Sequence, residues 1–499
     1  MSKEKLIDRN LIWIIALILI LAAAFFVRFN NLSWETYGYG EVEIKQAADE
    51  YLKGNFVNNF YIFDTPPFSK YIFAASIAFF GESEFALRVI PLIFGVLTVA
   101  ALFFMAKKMY NTKLALLAAS LTAFSILQIQ FSRYAQLETM LSFFYILIAY
   151  FTWDAVHNSK KYTFVFLGVF IGLAMATKFT SIIILVSVIA YAIYARHIRL
   201  SIRPNFSLNI SNWVIKAILI SIVLFFIVWP FGFARLHADA NISVDYGGTL
   251  RSQEIKANVP IFLLSFSRRI FTSVSEQVNY PILMEIPVVN YFLLYITKES
   301  ILVVVLLTAG IYFMLKKPAK PDVLIAIVII TFLVLLSFQR TLISYRHITP
   351  VVPFLSVLAA RWIYGLKKRW LAITAVIAIL MFAYAAITGP AYSLSYNPMK
   401  NVFGIQDTES RDSEGMRETI GYIENCSSTY AGDYYRFMIE PYYKNVTTDF
   451  NSTTACAVKG NIDKGFEGGD AAIYIEKRNC TLAKTVSKNS IKLIEIYRC

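Results

Sequence analysis

Apolar runs of membrane-spanning length recur along the 499-residue chain as far as about residue 387, and they leave little choice of fold. A hydrocarbon core about 30 Å thick takes roughly 20 apolar residues as a helix, and within it every backbone polar group must be paired inside the segment. Such runs lie at about Leu11–Val27, Val89–Ala106, Leu114–Gln130, Met140–Ala155, Phe164–Thr177, Ser181–Ala195, Val214–Phe231, Ile301–Leu315, Val323–Ser337, Ile348–Ile363 and Leu371–Ile387. They predict an α-helical polytopic membrane protein of about eleven spans. Tyr71–Phe80 is too short to span and reads as a re-entrant or interfacial helix, and Val259–Phe266 reads as a second interfacial piece.

Composition excludes an ordinary soluble domain, with 57% hydrophobic and 16% charged residues. The net charge of +14 would suit nucleic acid, but the basic residues sit where membrane topology puts them. Lys107, Lys108 and Lys113, then Lys160 and Lys161, Arg196, Arg199 and Arg203, Lys316, Lys317 and Lys320, and Lys367, Lys368 and Arg369 fall in alternate loops. The expected partner is therefore the lipid bilayer and not nucleic acid. A cytoplasmic N-terminus follows, with the first run kept as a helix because no small-residue cleavage site ends it. The long segments 28–88, 232–299 and 389–499 then lie outside, and so does the chemistry. Residues 1–388 form the membrane domain of a protein expected in the cell membrane, and 389–499 an extracytoplasmic domain.

That tail holds all four cysteines, Cys426, Cys456, Cys480 and Cys499. Without CxxC spacing they predict two disulfides in an oxidising compartment, with the pairing open. Sequons at Asn425, Asn445, Asn451 and Asn479 agree with that side of the membrane. The tail reads as a small α/β domain, with a helix over Ser413–Asn425 and strands over Ala471–Ile475 and Ile491–Tyr497.

Chemistry-bearing residues gather in the outer segments. Glu41 and Glu43 follow the first span in an aromatic, Gly-rich stretch; in a strand they would share a face, in a helix not. Asp64-Thr-Pro-Pro-Phe-Ser-Lys70 brings a Pro-Pro pair and a lysine to a helix start. Ser132-Arg133-Tyr134 with Glu138 places one base and one acid between two spans, where a buried Arg–Glu pair is the plain alternative. Arg340 and Ser344-Tyr345-Arg346-His347 precede a span, and Arg346 suits bidentate phosphate binding. Lys178 at an outer span end fits simple snorkelling. The four histidines have no metal-ligand spacing and no nucleotide fingerprint is present, so no cofactor is called for; a divalent cation is left open.

These pieces, in this order, resemble glycosyltransferase family 39, the membrane GT-C enzymes that include protein O-mannosyltransferases and the lipid A aminoarabinose transferase. Gly40-Glu41-Val42-Glu43 stands where the family has an Asp-Glu pair, and Thr65-Pro66-Pro67-Phe68-Ser69-Lys70 where it has an HPPL-like motif. Ser132-Arg133-Tyr134 with Glu138 stands for its second-loop motif, and Tyr345-Arg346 through Pro353 for its late Arg-Tyr segment. Gly40 replaces the family's leading Asp, and Glu138 its second-loop Asp. The resemblance implies a GT-C fold and an inverting transfer from a polyprenyl-phosphate-linked (dolichyl-phosphate-type) sugar to a protein, glycan or lipid acceptor. A phosphate leaving group needs cations rather than a general acid, and the acceptor needs a carboxylate base. Glu41 is the expected base, helped by Glu43 or Glu138. Lys70, Arg133, Arg346 and Arg340 are the expected phosphate ligands. The rivals are a secondary transporter, which would put ionisable groups at mid-membrane, and a catalytically inactive scaffold. An en bloc oligosaccharyltransferase would need a WWDxG-type motif that the sequence lacks.

Overall fold

The computed structural model describes residues 3–56, 65–158, 162–197, 210–233, 241–246, 249–254, 260, 262–263, 288–337, 344–366, 369–390, 392, 396–399, 415–431, 435, 438–449, 451–460, 468–488 and 491–499. The membrane half begins with α1 (Lys3–Phe29), α2 (Tyr39–Leu52), α3 (Phe68–Phe80), α4 (Glu84–Met109), α5 (Thr112–Ala123), α6 (Ile126–Phe131), α7 (Glu138–His157), α8 (Thr163–Thr177), α9 (Ile182–His197) and α10 (Ile210–Val228). Six helices among the described residues are long and apolar enough to cross a membrane: Leu11–Phe29, Glu84–Met109, Glu138–His157, Lys320–Ser337, Tyr345–Gly365 and Trp370–Thr388. The other expected spans are apolar helices of 10–17 residues, so the full set of eleven is not reached by length.

α5 sits at the centre. Every residue from Leu114 to Ala123 is buried, as expected of a helix that is apolar all round and enclosed by other helices. The expected single span Leu114–Gln130 is broken here. Ser125 takes an extended conformation (ψ 126°) and its hydroxyl accepts the Gln128 N–H, which starts α6 as a new helix. The outer segment 232–299 also holds more structure than its sequence suggested. It contains the hairpin of β1 (Asn241–Tyr246) and β2 (Thr249–Glu254) and the helix Val289–Lys298, whose Tyr291, Leu294 and Tyr295 join the main core. The expected Val259–Phe266 piece lies mostly outside the described residues.

Among the described residues, lysines of the first basic loop and Arg361 of the Tyr345–Gly365 helix are tied by contacts between helix ends. Lys108 pairs with Asp154, Lys113 donates to the Leu366 carbonyl (2.7 Å), and Arg361 pairs with Asp322 (2.9 Å) while donating to the Lys317 carbonyl (2.6 Å). The acid-bearing segments and the tail gather at one end of the bundle.

The tail carries β3 (Thr429–Ala431), β4 (Val446–Thr447), β5 (Cys456–Gly460), β6 (Thr481–Lys488) and β7 (Ile491–Arg498) in one mixed sheet of order β4-β3-β5-β7-β6. Disulfides join Cys426 to Cys456 and Cys480 to Cys499. The helix Met416–Ile423 and strand β7 agree with the sequence. Ala471–Ile475 does not: it belongs to a helix, Gly468–Lys477. Ala471, Tyr474 and Ile475 are its buried positions, the i, i+3, i+4 spacing of one helical face, which a short apolar run conceals.

Packing between spans is tight enough to test. A Cβ at Gly310, on the helix Ile301–Lys316, would stand 1.8 Å from the Leu358 carbonyl oxygen of the helix Val352–Ala359. Gly310→Val should cost about 1–3 kcal/mol or more and lower the melting temperature in detergent.

Candidate active site

The end of the bundle that carries the tail is built on one buried ion pair. Glu41, in the first turn of α2, and Arg88, in the first turns of α4, are both buried. Arg88 Nε donates to Glu41 Oε1 at 2.9 Å and Nη2 to Oε2 at 2.6 Å. The Gly38 N–H (2.9 Å) and the Ala135 N–H (2.8 Å) complete the carboxylate's shell, so each oxygen accepts two donors. Arg88 Nη1 also donates to the Leu32 and Glu35 carbonyls, and Nη2 to that of Thr36. One guanidinium thereby fixes the exit from α1, the start of α2 and, through Glu41, the loop after α6. Arg88 was not singled out in the sequence; the signal was an arginine immediately before an apolar run.

The buried Arg133–Glu138 pair that stood as the plain alternative is not made among the described residues. Arg133 donates instead to the carbonyls of Val27, Arg28, Asn30 and Asn31 at 2.7–3.2 Å, wrapping the chain that leaves α1. Lys70, buried in the first turn of α3, donates to the Thr65 carbonyl at 2.9 Å. Glu43 lies in α2, two positions and so about 200° from Glu41, partly exposed. Arg340 and Asp64 lie outside the described residues. At Gly40 a Cβ would stand 2.8 Å from Gln136 Nε2, so the Gln136 amide occupies the space a side chain there would enter.

Glu138 finds a different cation. Its Oε1 accepts from Lys178 Nζ at 2.6 Å, and Arg346 acts on the same carboxylate electrostatically. Lys178, read from sequence as a snorkelling lysine, is thus part of a polar cluster from α7, the end of α8 and the segment Tyr345–Ile348. Lys178 and Arg346 are partly exposed while Glu138 is buried. Glu138 Oε2 is buried with no partner among the described residues, and so are Gln128 Oε1, Gln130 Oε1 and Thr349 Oγ1. Ser142, Gln128 and Thr349 tie this region together: Ser142 Oγ donates to the Glu138 carbonyl (3.0 Å), and Gln128 Nε2 to the Thr349 carbonyl (2.7 Å). Buried polar atoms are almost always paired, so the open atoms of Glu138, Gln128 and Thr349, brought together by these bonds, mark a place for a hydrogen-bonding ligand or water.

Glu299 supports this wall from behind. Its carboxylate accepts from the Ser125 hydroxyl and from the Ile126 and Leu127 N–H groups, capping α6. Burial pushes it up to about 7 against the pull of those bonds. Neither Glu299 nor Gln136 stood out in the sequence, because each acts through a contact distant along the chain. Among the described residues no group of three His, Cys, Asp or Glu side chains gathers as a metal site.

A helical bundle with a small mixed α/β tail packed on one end is the architecture of the GT-C fold. Residues 64–229 match the family described as dolichyl-phosphate-mannose-protein mannosyltransferase. The fold is that of ArnT from Cupriavidus metallidurans. In the apo state that structure is 13% identical with a TM-score of 0.58, over 98% of this chain and 98% of that one. Bound to undecaprenyl phosphate it is 15% identical with a TM-score of 0.53, over 96% and 97%. The Archaeoglobus fulgidus oligosaccharyltransferase in the apo form is 13% identical with a TM-score of 0.54, over 87% of this chain and 64% of that one. No curated protein matches the sequence. The resemblance to glycosyltransferase family 39 is borne out by the match over residues 64–229, and the ArnT-like fold extends over most of the chain.

The ion pair makes a stability prediction. Glu41→Gln or Arg88→Met alone strands one buried charge and should cost about 3–5 kcal/mol, whereas the double variant should cost less than the sum. Melting of the four proteins in one detergent measures the coupling.

Proposed function

We propose that this enzyme moves a sugar from a polyprenyl-phosphate carrier to a hydroxyl or amine of a protein, glycan or lipid acceptor at the outer membrane face, with inversion, and that Glu138, Lys178 and Arg346 form the reacting centre. The observation that carries this reading is the make-up of the cluster: two cations around one buried carboxylate with an open oxygen. Its net charge of about one positive unit complements the single negative charge of a sugar phosphodiester. The likeness to an ArnT structure holding undecaprenyl phosphate supports the class of carrier.

In this mechanism the acceptor oxygen or nitrogen attacks the anomeric carbon as that carbon's bond to the phosphate oxygen breaks. The electron pair leaves with the polyprenyl phosphate, and the acceptor's proton passes to Glu138 Oε2. Protonation of Glu138 uncovers a second positive charge as the leaving phosphate gains its second negative one. Lys178 and Arg346 therefore stabilise the transition state more than the bound donor, which is what raises turnover.

Glu41, first expected as the base, already accepts four hydrogen bonds, and we assign it with Arg88 to holding the loops in place. Glu43 stays a helper on α2. Arg133 and Lys70 hold the backbone around the donor, and Arg340 is a proposed phosphate ligand on its sequence position alone. The N-terminus is cytoplasmic, and the reacting centre and tail face outward from the cell membrane. Contacts between the first loop and the tail support a common side for both.

Glu138→Gln should lower transfer by about 10²–10⁴-fold while undecaprenyl phosphate still binds, as expected for a lost base. Labelled polyprenyl-phosphate sugars in proteoliposomes give the rate. Full transfer by this variant would remove the assignment, and no transfer by the unaltered enzyme with any donor would favour the scaffold.

A further inference from the structure

The tail is joined to the first outer loop by a buried carboxylate that the transfer chemistry does not use. Glu35 is 0% exposed. Its Oε2 accepts the Gly415 N–H at 2.9 Å and its Oε1 the Arg417 N–H at 2.7 Å, at the start of the helix Met416–Ile423. These N–H groups have no partner within their own helix, and the helix dipole favours an anion there. Gly415 is required for this approach. It has φ +83°, and a Cβ would stand 2.8 Å from Val486 Cγ1 in the tail's core.

The surrounding contacts repeat the grip. The Arg417 guanidinium donates to the Ser33 carbonyl (3.2 Å) and to Glu84 Oε1 (3.1 Å). The Tyr442 hydroxyl donates to the same Glu84 oxygen at 2.8 Å and accepts the Tyr37 N–H at 3.0 Å. Burial, then the Glu84 charge, pushes the Tyr442 hydroxyl well above its ordinary range, so it stays a donor at any physiological pH. Trp34 packs on the tail's core, and Tyr442 packs in both that core and the one beneath α2.

What the tail grips is the segment that Arg88 reads. The Glu35 carbonyl accepts Arg88 Nη1 at 2.9 Å and the Thr36 carbonyl accepts Nη2 at 2.7 Å, and the same guanidinium holds Glu41. From Glu41 the path runs to the Ala135 N–H, three residues before Glu138. Glu35 thus joins two networks: its side chain belongs to the tail and its carbonyl to the membrane domain.

We propose that Glu35 is a positioning residue through which the extracytoplasmic domain sets the first outer loop against the reacting centre, so that releasing the tail slows transfer while the donor still binds. The effect on transfer rests on the function proposed above; the effect on the loop does not.

Two variants remove the clasp from opposite sides. Glu35→Gln keeps the shape but leaves one of the two N–H groups facing an amide donor. Arg417→Pro deletes one N–H in a helical first turn, where proline is tolerated. Arg417→Ala is the control, since it keeps the N–H and loses only the guanidinium. Hydrogen exchange over residues 33–45 of the full chain in detergent reads the loop directly. Glu35→Gln and Arg417→Pro should each lose protection there by about tenfold or more relative to Arg417→Ala, with α5 still protected. In transfer from labelled dolichyl-phosphate mannose or another active donor, both should lower kcat about tenfold, with the donor KM within about twofold of the unaltered enzyme. Unchanged protection over 33–45 in both variants would overturn the proposal, and so would a loss confined to KM or to the yield of folded protein. If the unaltered chain transfers nothing, the function proposed above fails and the exchange result alone decides on the clasp.

Discussion

The outer half of this molecule depends on the buried pair between Arg88 and Glu41. Burying either charge alone would be costly; together they satisfy each other, and the remaining guanidinium protons find three backbone carbonyls. The pair does more than close a charge. It collects the end of α1, the start of α2, the first turns of α4 and, through Ala135, the loop before α7. Irregular backbone at membrane depth is tolerated only where protein satisfies it, and Arg88 and Arg133 supply the donors. Two arginines placed on carbonyls let a polar loop pass between apolar helices.

In the proposed function the chemistry falls to three other charged residues, Glu138, Lys178 and Arg346. Glu138 is set in the first turn of α7, Lys178 follows the last turn of α8, and Arg346 follows a serine N-cap. Each stands at or near a helix end, with Glu138 buried and Lys178 and Arg346 partly exposed beside it. Glu299, capping α6 from across the bundle, keeps the neighbouring wall in register. The tail joins the same network through Glu35, which accepts the Gly415 and Arg417 N–H groups.

Much of the fold was legible in the sequence, because spanning helices announce themselves by length and the loop charges alternate. The tail's four cysteines predicted two disulfides, and both are formed within it. The helix Gly468–Lys477 was misread because five apolar residues fit either period. α6 was missed because a serine cap inside an apolar run looks like an ordinary small residue. For the site, the ordered motifs brought the right segments to one end, but the pairing of acids and bases could not be read. Glu41 sits 47 residues from Arg88 and Glu138 sits 40 from Lys178, and no local spacing carries such contacts. Glu35 and Arg417, 382 apart, lie further still beyond sequence reasoning.

The central claim is that a carrier phosphate rests between Lys178 and Arg346, beside the open oxygen of Glu138. Electron cryomicroscopy of the full chain with undecaprenyl phosphate tests it most directly. Phosphate density is expected within hydrogen-bond distance of Lys178 Nζ and the Arg346 guanidinium, with the Arg88–Glu41 pair intact. Phosphate seated instead on Arg88, with Glu41 released from it, would contradict the account and return the base to the first loop.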